Sequence, residues 1–316
     1  MYVLHIKMDK PEIKPVSYME TRWKIRHLEG KIIRAAVSAF VRKSYNDPFR
    51  DGIVAQVITR DDIWLYEAIA STKNFVDEYI IVDSSNNLFA EYNKLILTRL
   101  LDGKYTYIRK DVDQRTARQI IHKMAKRKWL LRLDGDMIAV DRGFNSAENL
   151  FKIIRQLNDY KFHDIYFPLL FVGDSLKYLQ NPPYGYEDWI YSNFNSFRWS
   201  NRKLDLPDIP LRFKKTLIDI PFFIHLNHLF PDFKYYEKYA SPKWQTKENQ
   251  DKYRTFENFV EHLRSDARTF KRPDNYIKYS HTFGYLPTIV DRFVGMSREE
   301  ILAIKMREIK DKIIPE

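Results

Sequence analysis

The stretch Trp129-Leu-Leu-Arg-Leu-Asp-Gly-Asp-Met137 decides the fold of this chain. It is an apolar run of β type that ends in two acids on either side of a glycine. Three further β-rich runs precede it, at Ile53–Ile58, Tyr79–Val82 and Tyr105–Ile108. Segments with helical spacing separate these runs, and strands that alternate with helices indicate βαβ units. The sequence therefore predicts an α/β fold, with a largely parallel sheet covered by helices on both faces.

The remaining elements are predicted from the same patterns. Asp61 and Asp62 suit the start of a first helix, because acids there complement the helix dipole. After the quoted stretch we expect a helix over Asn145–Leu157, a strand at Ile165–Val172, a loop with short elements from Asn181 to Pro210 and a strand at Leu217–Ile224. The C-terminal region is mostly helical in spacing, and Ser297-Arg-Glu-Glu300 is a capping box that opens a terminal helix.

Length and composition limit the class of protein. A chain of 316 residues suggests about two domains or one large α/β domain. Hydrophobic residues make up 44% and charged residues 30%, which is typical of a globular protein. The 53 basic and 42 acidic residues give a net charge of +11. This excess favours anionic partners such as phosphates, nucleic acid or an acidic membrane face.

The chain has no cysteine, which excludes a disulfide framework, a zinc-thiolate site and a cysteine nucleophile. No run reaches the roughly 18 uncharged apolar residues that a membrane-spanning helix needs. Asp9, Lys10 and Glu12 interrupt any apolar segment of a secretory signal. We therefore expect a cytoplasmic protein, with peripheral membrane contact as the further option.

We divide the chain into three parts. Residues 1–50 form a basic helical N-terminal extension, residues 51–230 the α/β core, and residues 231–316 a helical C-terminal region. Within the extension, Glu20–Lys43 has loosely helical spacing and many basic residues. One interpretation is a solvated helix packed on the core, and the other is a surface helix on anionic lipid.

The pair Asp134 and Asp136 is the main candidate for chemistry. Ligands of parallel sheets bind outside the carboxyl ends of the strands, where this pair falls. Gly135 lets the chain bend without a side chain in the way, so that both carboxylates can turn toward one point. Hard oxygen ligands suit Mg²⁺ or Mn²⁺, which would neutralise a diphosphate. The plain alternative is a turn with solvated acids.

Three classes of enzyme use such a pair. Phosphatases of the haloacid-dehalogenase type place it after the first strand and follow it with Gly-Thr, whereas Met137 and Ile138 follow here. Nucleotidyltransferases and polymerases add a third acid on a neighbouring strand. Transferases that use sugar nucleotides are the third class, and the rest of the predicted sheet favours them.

Four segments carry a resemblance to a known family. They are Ile53–Asp62, Val76–Ser85 with its end Asp83-Ser-Ser85, Arg115-Thr-Ala-Arg-Gln119, and Leu133-Asp-Gly-Asp136. In order and spacing they resemble the N-terminal half of GT-A glycosyltransferases of the family 2 type. The resemblance covers Ile53–Asp141 well and extends more loosely to Leu229. It implies a GT-A fold with a nucleotide-sugar half at 51–141 and an acceptor half at 142–230.

The resemblance also implies roles for individual residues. The base and ribose of the nucleotide would lie against Thr59, Arg60 and Asp83, and the diphosphate against Arg115 or Arg118. Asp136 would ligate Mn²⁺ or Mg²⁺, with Asp134 on the ribose or on the water shell of the metal. A further metal ligand would come from His225, with His228 as the second choice. For Asp83 the plain alternative is an acid that caps the turn after its strand, and for the arginines a solvated helix face.

A catalytic base is the last expected part of the site. Tyr184-Gly-Tyr-Glu-Asp-Trp189 resembles the acidic motif of the family, which makes Asp188 the preferred base and Glu187 the second choice. Asp174 is an alternative base. Pro183 and Gly185 favour a turn here, and a simple helix start is the plain alternative.

The predicted activity is that of a metal-dependent, inverting glycosyltransferase. It would move a sugar from a nucleotide-diphosphate donor to the hydroxyl of a glycan, lipid-linked or protein acceptor. Asn195-Ser-Phe-Arg-Trp199 matches the Gln-x-x-Arg-Trp motif of processive synthases only in part, and no membrane span is predicted, which favours a non-processive enzyme.

Two rival functions stay open. One is a nucleotidyltransferase, which a third strand-borne acid near the Asp pair would favour. The other is a nucleic-acid-binding protein without catalysis, since 21 Phe, 21 Tyr and the basic charge suit base stacking and phosphate contacts. The scattered basic residues and the lack of a nucleic-acid-binding signature count against it.

Overall fold

The structure is a computed structural model. It describes residues 49–157, 162–172, 176, 178–180, 186–194, 197, 199, 207–210, 213–218, 220–226, 229, 236–237, 240, 251, 254–265, 276–278 and 286–313. The predicted N-terminal helix Glu20–Lys43 lies outside these residues, as does almost all of the extension. The division into an extension, a core and a C-terminal region stays a prediction.

The described residues form strands and helices in alternation. The strands are β1 (Arg50–Thr59), β2 (Glu78–Asp83), β3 (Tyr105–Arg109), β4 (Arg127–Asp134), β5 (Met137–Ala139), β6 (His163–Pro168), β7 (Leu170–Phe171), β8 (Tyr178–Gln180), β9 (Tyr186–Ser192), β10 (Lys214–Leu217), β11 (Phe223–His225) and β12 (Tyr276–Lys278). The helices are α1 (Leu65–Thr72), α2 (Asn87–Leu101), α3 (Gln114–Met124), α4 (Ala147–Gln156), α5 (Phe256–Ser265) and α6 (Arg298–Ile313), with a 3-10 helix at Thr288–Phe293.

A seven-stranded sheet lies at the centre, in the order β10-β6-β9-β4-β1-β2-β3. Every neighbouring pair is parallel except those of β9, which runs antiparallel to both β4 and β6. The predicted α/β fold with a largely parallel sheet is therefore confirmed. A small second sheet has the order β5-β11-β7, and β8 pairs with β12.

Both faces of the inner strands β1, β2 and β4 are mostly buried, which explains why these strands are largely apolar, whereas the edge strands β3 and β10 are half-buried. In β1, alternate residues such as Ala55 and Val57 face one hydrophobic cluster, whereas Val54 and Ile58 face the other. The first cluster includes buried residues of α1, α2, α4 and α6, and the second includes Ala117 and Ile121 of α3. The C-terminal helix thus packs into the same core as the sheet.

The terminal helix confirms its predicted capping box. The backbone N–H of Glu300 donates to the Ser297 hydroxyl at 3.2 Å, and the N–H of Ser297 donates to the Glu300 carboxylate at 2.8 Å. The C-terminal region is not wholly helical, however, because it also supplies β12.

Helix α1 does not begin at the acids predicted to open it. It begins at Leu65, because Asp61 has a left-handed backbone with φ of 55° that no helix continues. The side chain of Asp61 instead accepts from the N–H of Asn86 at 2.9 Å, and its own N–H donates to the Ser85 hydroxyl at 2.7 Å. Asp61 therefore joins the loops after β1 and β2.

Three predicted segments differ from the structure. The segment Asn181–Pro210, expected to be a loop with short elements, contains the seven-residue strand β9, which lies inside the central sheet. The strand expected at Ile165–Val172 divides into β6 and β7, and that expected at Leu217–Ile224 divides into β10 and β11. In each divided case the two strands belong to different sheets, and a proline, Pro168 or Pro221, stands where the chain changes sheet. Proline cannot donate to a strand ladder, which suits these exits.

Candidate functional site

Three candidate metal ligands meet beyond the carboxyl end of β4. Asp134 is the last residue of β4, Asp136 lies in the turn that leads into β5, and His225 ends β11. Because β11 pairs antiparallel with β5, His225 stands opposite Met137, directly after the turn. One ligand atom from each of the three side chains lies within 4.8 Å of the others. The group could hold a metal ion.

The turn between Asp134 and Asp136 is shaped by a close neighbour. A Cβ added at Gly135 would lie 2.5 Å from Asp62 Oδ2 and 2.9 Å from Asp62 Cβ. Gly135 is not among the described residues with positive φ. The close approach of the loop after β1 therefore leaves no room for a side chain at Gly135, and a positive φ is not the reason for the glycine.

The Asp136 side chain is almost wholly buried, at 1% exposure. Its Oδ1 lies 3.0 Å from Nε2 of His225, and its carbonyl accepts from the N–H of Leu226 at 2.9 Å. Neighbouring ligand atoms lie about 3 Å apart in an octahedral shell with bonds of about 2.1 Å. Two carboxylates and an imidazole also match the ligand preferences of Mn²⁺.

Two guanidinium groups flank the Asp134 carboxylate. Arg118 Nη2 lies 2.6 Å from Oδ1, and Arg132 Nη2 lies 4.0 Å from Oδ2. Burial alone would raise the pKa of Asp134, but these two positive charges outweigh it and hold the pKa below its usual value. The carboxylate is therefore ionised and oriented at neutral pH, as a metal or hydroxyl partner requires.

Arg118 differs from both expectations for it. It was predicted to approach a diphosphate, with a solvated helix face as the alternative, but its side chain is fully buried between α3 and the sheet. It donates to the Gln56 carbonyl of β1 as well as to Asp134. Arg118 thus supports Asp134 from beneath the site. Arg115 is half-buried in the first turn of α3, and its diphosphate contact stays a prediction.

The predicted nucleotide residues gather at the same edge. In the sheet register Ile58 lies beside Asp134 and Thr59 beside Asp83, so the ends of β1, β2 and β4 are neighbours. Thr59 is buried, and Arg60 follows it in the loop after β1, where its N–H donates to Asp62 at 3.2 Å.

Asp83 has a structural task in this arrangement. Its carboxylate is fully buried and accepts from the N–H of Ser85 at 2.7 Å, from Asn93 at 2.9 Å and from the Tyr107 hydroxyl at 2.6 Å. This is the plain alternative, an acid that caps the turn after its strand. Contact of Asp83 with a nucleotide stays a prediction.

The two candidate bases lie on a strand, where a turn or a helix start was expected. Glu187 and Asp188 are the second and third residues of β9. Because β9 runs antiparallel to β4, its first residues lie beside the end of β4 that carries Asp134. The Glu187 side chain is 48% exposed, whereas Asp188 is only 4% exposed.

Arg132 is the site residue that the sequence reasoning missed. Its Nη1 donates to Glu187 Oε2 at 2.9 Å, and its guanidinium lies over the ring of Trp189 at 4.2 Å. A signal was present in the quoted stretch, because a charged residue within an apolar inner strand needs a partner.

Other predicted residues lie outside the described part of the chain. These are His228, Asp174, and the Pro183, Tyr184 and Gly185 of the acidic motif. Within the described residues, the third member of the Asp134–Asp136 group is a histidine and not the third acid that a nucleotidyltransferase reading asked for.

Comparisons with known proteins give structural neighbours only. No protein-family model matches the chain, and no curated protein matches its sequence. TarS from S. aureus has 12% identity and a TM-score of 0.38 over 69% of this chain, which spans 44% of TarS. HddC from Yersinia pseudotuberculosis complexed with GMP-PN has 13% identity and a TM-score of 0.30, over 52% of this chain and 82% of HddC.

The inositol-1-phosphate CTP transferase from T. maritima has 12% identity and a TM-score of 0.34, over 69% of this chain and 98% of that one. At TM-scores below 0.5 these likenesses carry no argument about function, and the fold class rests on the observed sheet. The family 2 assignment stays a prediction. Among the helices that the structure describes, none has the length and apolar character needed to cross a membrane.

Proposed function

We propose that this protein is a metal-dependent glycosyltransferase that uses a nucleotide-diphosphate sugar, inverts the anomeric carbon and is non-processive. The observation that carries the proposal is the group Asp134, Asp136 and His225 at the carboxyl end of the central strand, with ligand atoms within 4.8 Å of one another. The group lies at the carboxyl edge of a largely parallel sheet, and proteins with such sheets bind their ligands at this edge.

The donor set supports a divalent cation at this place. Asp136 and His225 would hold Mn²⁺ or Mg²⁺ directly, and Asp134, held by Arg118, would bind the water shell or the ribose. A cation bound there would neutralise the charge of the leaving diphosphate. Thr59, Arg60 and Arg115 at the neighbouring strand and helix ends are the proposed contacts of the nucleotide.

We assign the base to Glu187 in preference to Asp188, which reverses the order predicted from the sequence. A general base must reach the acceptor hydroxyl within hydrogen-bond distance. The carboxylate of Glu187 is half-exposed and thus accessible to an acceptor, whereas Asp188 is nearly covered. Glu187 would take the proton of the acceptor hydroxyl while that oxygen bonds to the anomeric carbon. The bond from that carbon to the diphosphate breaks, and the diphosphate leaves with the electron pair.

The proposal is tested by calorimetric titration of UDP, GDP, CDP, dTDP and ATP, with and without Mn²⁺. We expect one diphosphate to bind only with the metal, and Asp136→Asn to lower its affinity at least tenfold, or about 1.4 kcal/mol. Asp102→Asn is the matched control, because Asp102 is an exposed acid with a left-handed backbone that asparagine also tolerates.

Four results would contradict the proposal. Binding of the diphosphate without metal, or unchanged binding by Asp136→Asn, would remove the metal site. Metal-dependent binding of ATP in place of every diphosphate would favour the nucleotidyltransferase. Failure to bind any nucleotide would favour the protein that binds nucleic acid without catalysis.

A further inference from the structure

Arg132 is a buried charge in the middle of the central sheet. Its side chain is 9% exposed, and in the β1–β4 register it stands beside the buried Gln56. Withdrawing a guanidinium from water is costly unless hydrogen bonds and opposite charges compensate. An apolar residue would fill such a strand position without this cost. The contacts of Arg132 therefore indicate the function of its buried charge.

Those contacts fix the guanidinium from three directions. Nη1 lies 2.9 Å from Glu187 Oε2, and Nη2 lies 4.0 Å from Asp134 Oδ2. The Trp189 ring supports the guanidinium from below, with 4.2 Å between Cζ and the ring centroid. Trp189 is itself buried and packs on Phe167, so this platform cannot move freely. The result is a rigid fork that joins the end of β4 to the start of β9.

Of the two carboxylates that Arg132 contacts, that of Glu187 is the more exposed, at 48% against 22% for Asp134. Glu187 is half-exposed, and a glutamate side chain has several rotatable bonds that an exposed position leaves free. Its hydrogen bond to Arg132 selects one orientation, beside the strand end that carries Asp134. A charge-assisted bond of this kind fixes direction as well as distance.

We infer that Arg132 is a positioning residue that holds Glu187 in line for its task as base. This inference rests on the proposed glycosyl transfer. Arg132 acts mainly through Glu187, which it contacts at 2.9 Å, because Asp134 lies 4.0 Å away and is held chiefly by Arg118 at 2.6 Å. The loss of Arg132 therefore lowers turnover and leaves the affinity for the donor nucleotide intact.

The test is a double-mutant cycle made of Arg132→Met, Glu187→Gln and the double variant, with Arg132→Lys as the conservative change. Arg127→Met is the matched control, since Arg127 lies on the same strand but pairs with Glu78 at the far end, at 3.6 Å. Calorimetry measures binding of the diphosphates UDP, GDP, CDP and dTDP with Mn²⁺. Turnover is the hydrolysis of UDP-, GDP-, CDP- and dTDP-sugars by water.

We expect Arg132→Met to lower kcat by about 10- to 100-fold, because small misplacements of a reacting group have effects of this size. Diphosphate affinity should stay within about twofold, a change of only about 0.4 kcal/mol. The double variant should be no slower than Glu187→Gln, since one lost interaction cannot be lost twice. Arg132→Lys should recover part of the rate, and Arg127→Met should match the wild type.

Several outcomes would overturn the inference, and they separate it from the proposed function. Equal loss of diphosphate affinity in Arg132→Met would place Arg132 in the donor site. Multiplicative effects in the double variant would show a role independent of Glu187. If Arg132→Met does not fold, the same double-mutant cycle is made with Arg132→Lys, and its kcat values test the inference. If the wild-type protein does not bind a diphosphate in a metal-dependent way, the proposed function and this inference are both wrong. If it binds and turns over the donor, but the effects of the two substitutions on kcat multiply, only this inference is wrong.

Discussion

Among single residues, two in the stretch Trp129–Met137 are unusual for their positions and shape the candidate site. Arg132 places a charge where an inner strand is otherwise apolar, and Gly135 leaves room where any side chain would collide with Asp62. Both follow from the neighbours that surround the end of β4. Neither residue is part of the predicted ligand set, yet each shapes it.

Gly135→Ala tests the close approach. The added methyl group would meet Asp62 within 3 Å at three atoms, including its Cβ. Overpacking of this kind costs about 1–3 kcal/mol of unfolding free energy. We expect a loss in that range by urea denaturation, with metal affinity lowered in parallel.

The control is the pair Gly135→Ala with Asp62→Ala. Removing the Asp62 carboxylate takes away two of the three close contacts, so the pair should recover part of the stability that Gly135→Ala loses. If the second change adds its own loss in full, the collision is not the reason for the glycine.

At the scale of elements, α3 shows how a local cap places a functional side chain. Asp113 is its N-cap, and the carboxylate accepts from the N–H of Thr116 at 2.9 Å and from its hydroxyl at 2.6 Å. The helix begun in this way carries Arg118 beneath Asp134. A helix start chosen by local chemistry thus fixes the support of a candidate ligand.

Asp113→Ala should lower the free energy of unfolding by about 1 kcal/mol at pH 7, the usual value of an N-cap. Burial raises the pKa of Asp113, but the Thr116 hydrogen bonds outweigh it and hold the pKa below its usual value. The contribution is therefore complete above the unfolded pKa of about 3.9 and is lost as the pH falls through the folded value. Urea denaturation between pH 7 and pH 3 measures it.

Ser146→Ala is the matched control for this prediction. Ser146 is the N-cap of α4, but its side chain makes no capping hydrogen bond. It should therefore change stability by no more than about 0.5 kcal/mol. An equal loss in both variants would mean that the Asp113 hydrogen bonds contribute nothing of their own.

For the molecule as a whole, the main feature is a set of ion pairs between the C-terminal helix α6 and helix α1 of the α/β core. Lys305 of α6 and Glu67 of α1 are both fully buried, with 2.6 Å between Nζ and Oε1. Glu308 and Arg292 complete the cluster, with Lys305 3.3 Å from Glu308 and Arg292 3.3 Å from Glu67. The end of the chain and the edge of the core are thus one packed unit.

Lys305→Met should destabilise the protein by about 3–5 kcal/mol, because it leaves Glu67 buried with less compensation. The pair Glu67→Met with Lys305→Met should lie closer to the wild type, since neither charge is then buried. Lys152→Met is the control, because Lys152 forms an exposed pair with Glu148 at 2.7 Å and should change stability by about 0.5 kcal/mol at most. Thermal and urea unfolding measure the stability of all three variants. A double variant with a lower free energy of unfolding than Lys305→Met alone would contradict this account.

The α/β class, the first four strands, most helices and the turn that carries Asp134 and Asp136 are all predictable from the amino-acid sequence. These depend on short-range periodicity, caps and the apolar character of strands buried on both faces, and such information is local. The capping box at Ser297 and the helix over Asn87–Leu101 are predictable for the same reason.

The contacts between side chains, in contrast, become visible only when the chain is folded. The antiparallel strand β9 reads as a loop because its flanks are rich in proline and asparagine, and its pairing with β4 and β6 supplies the order that the local sequence lacks. The burial of Asp83 and Arg118 and the fork of Arg132 depend on contacts between residues distant in sequence. Local sequence patterns do not depend on those contacts. They therefore predict the helices and strands, whereas the packing of these elements determines which side chains form the site.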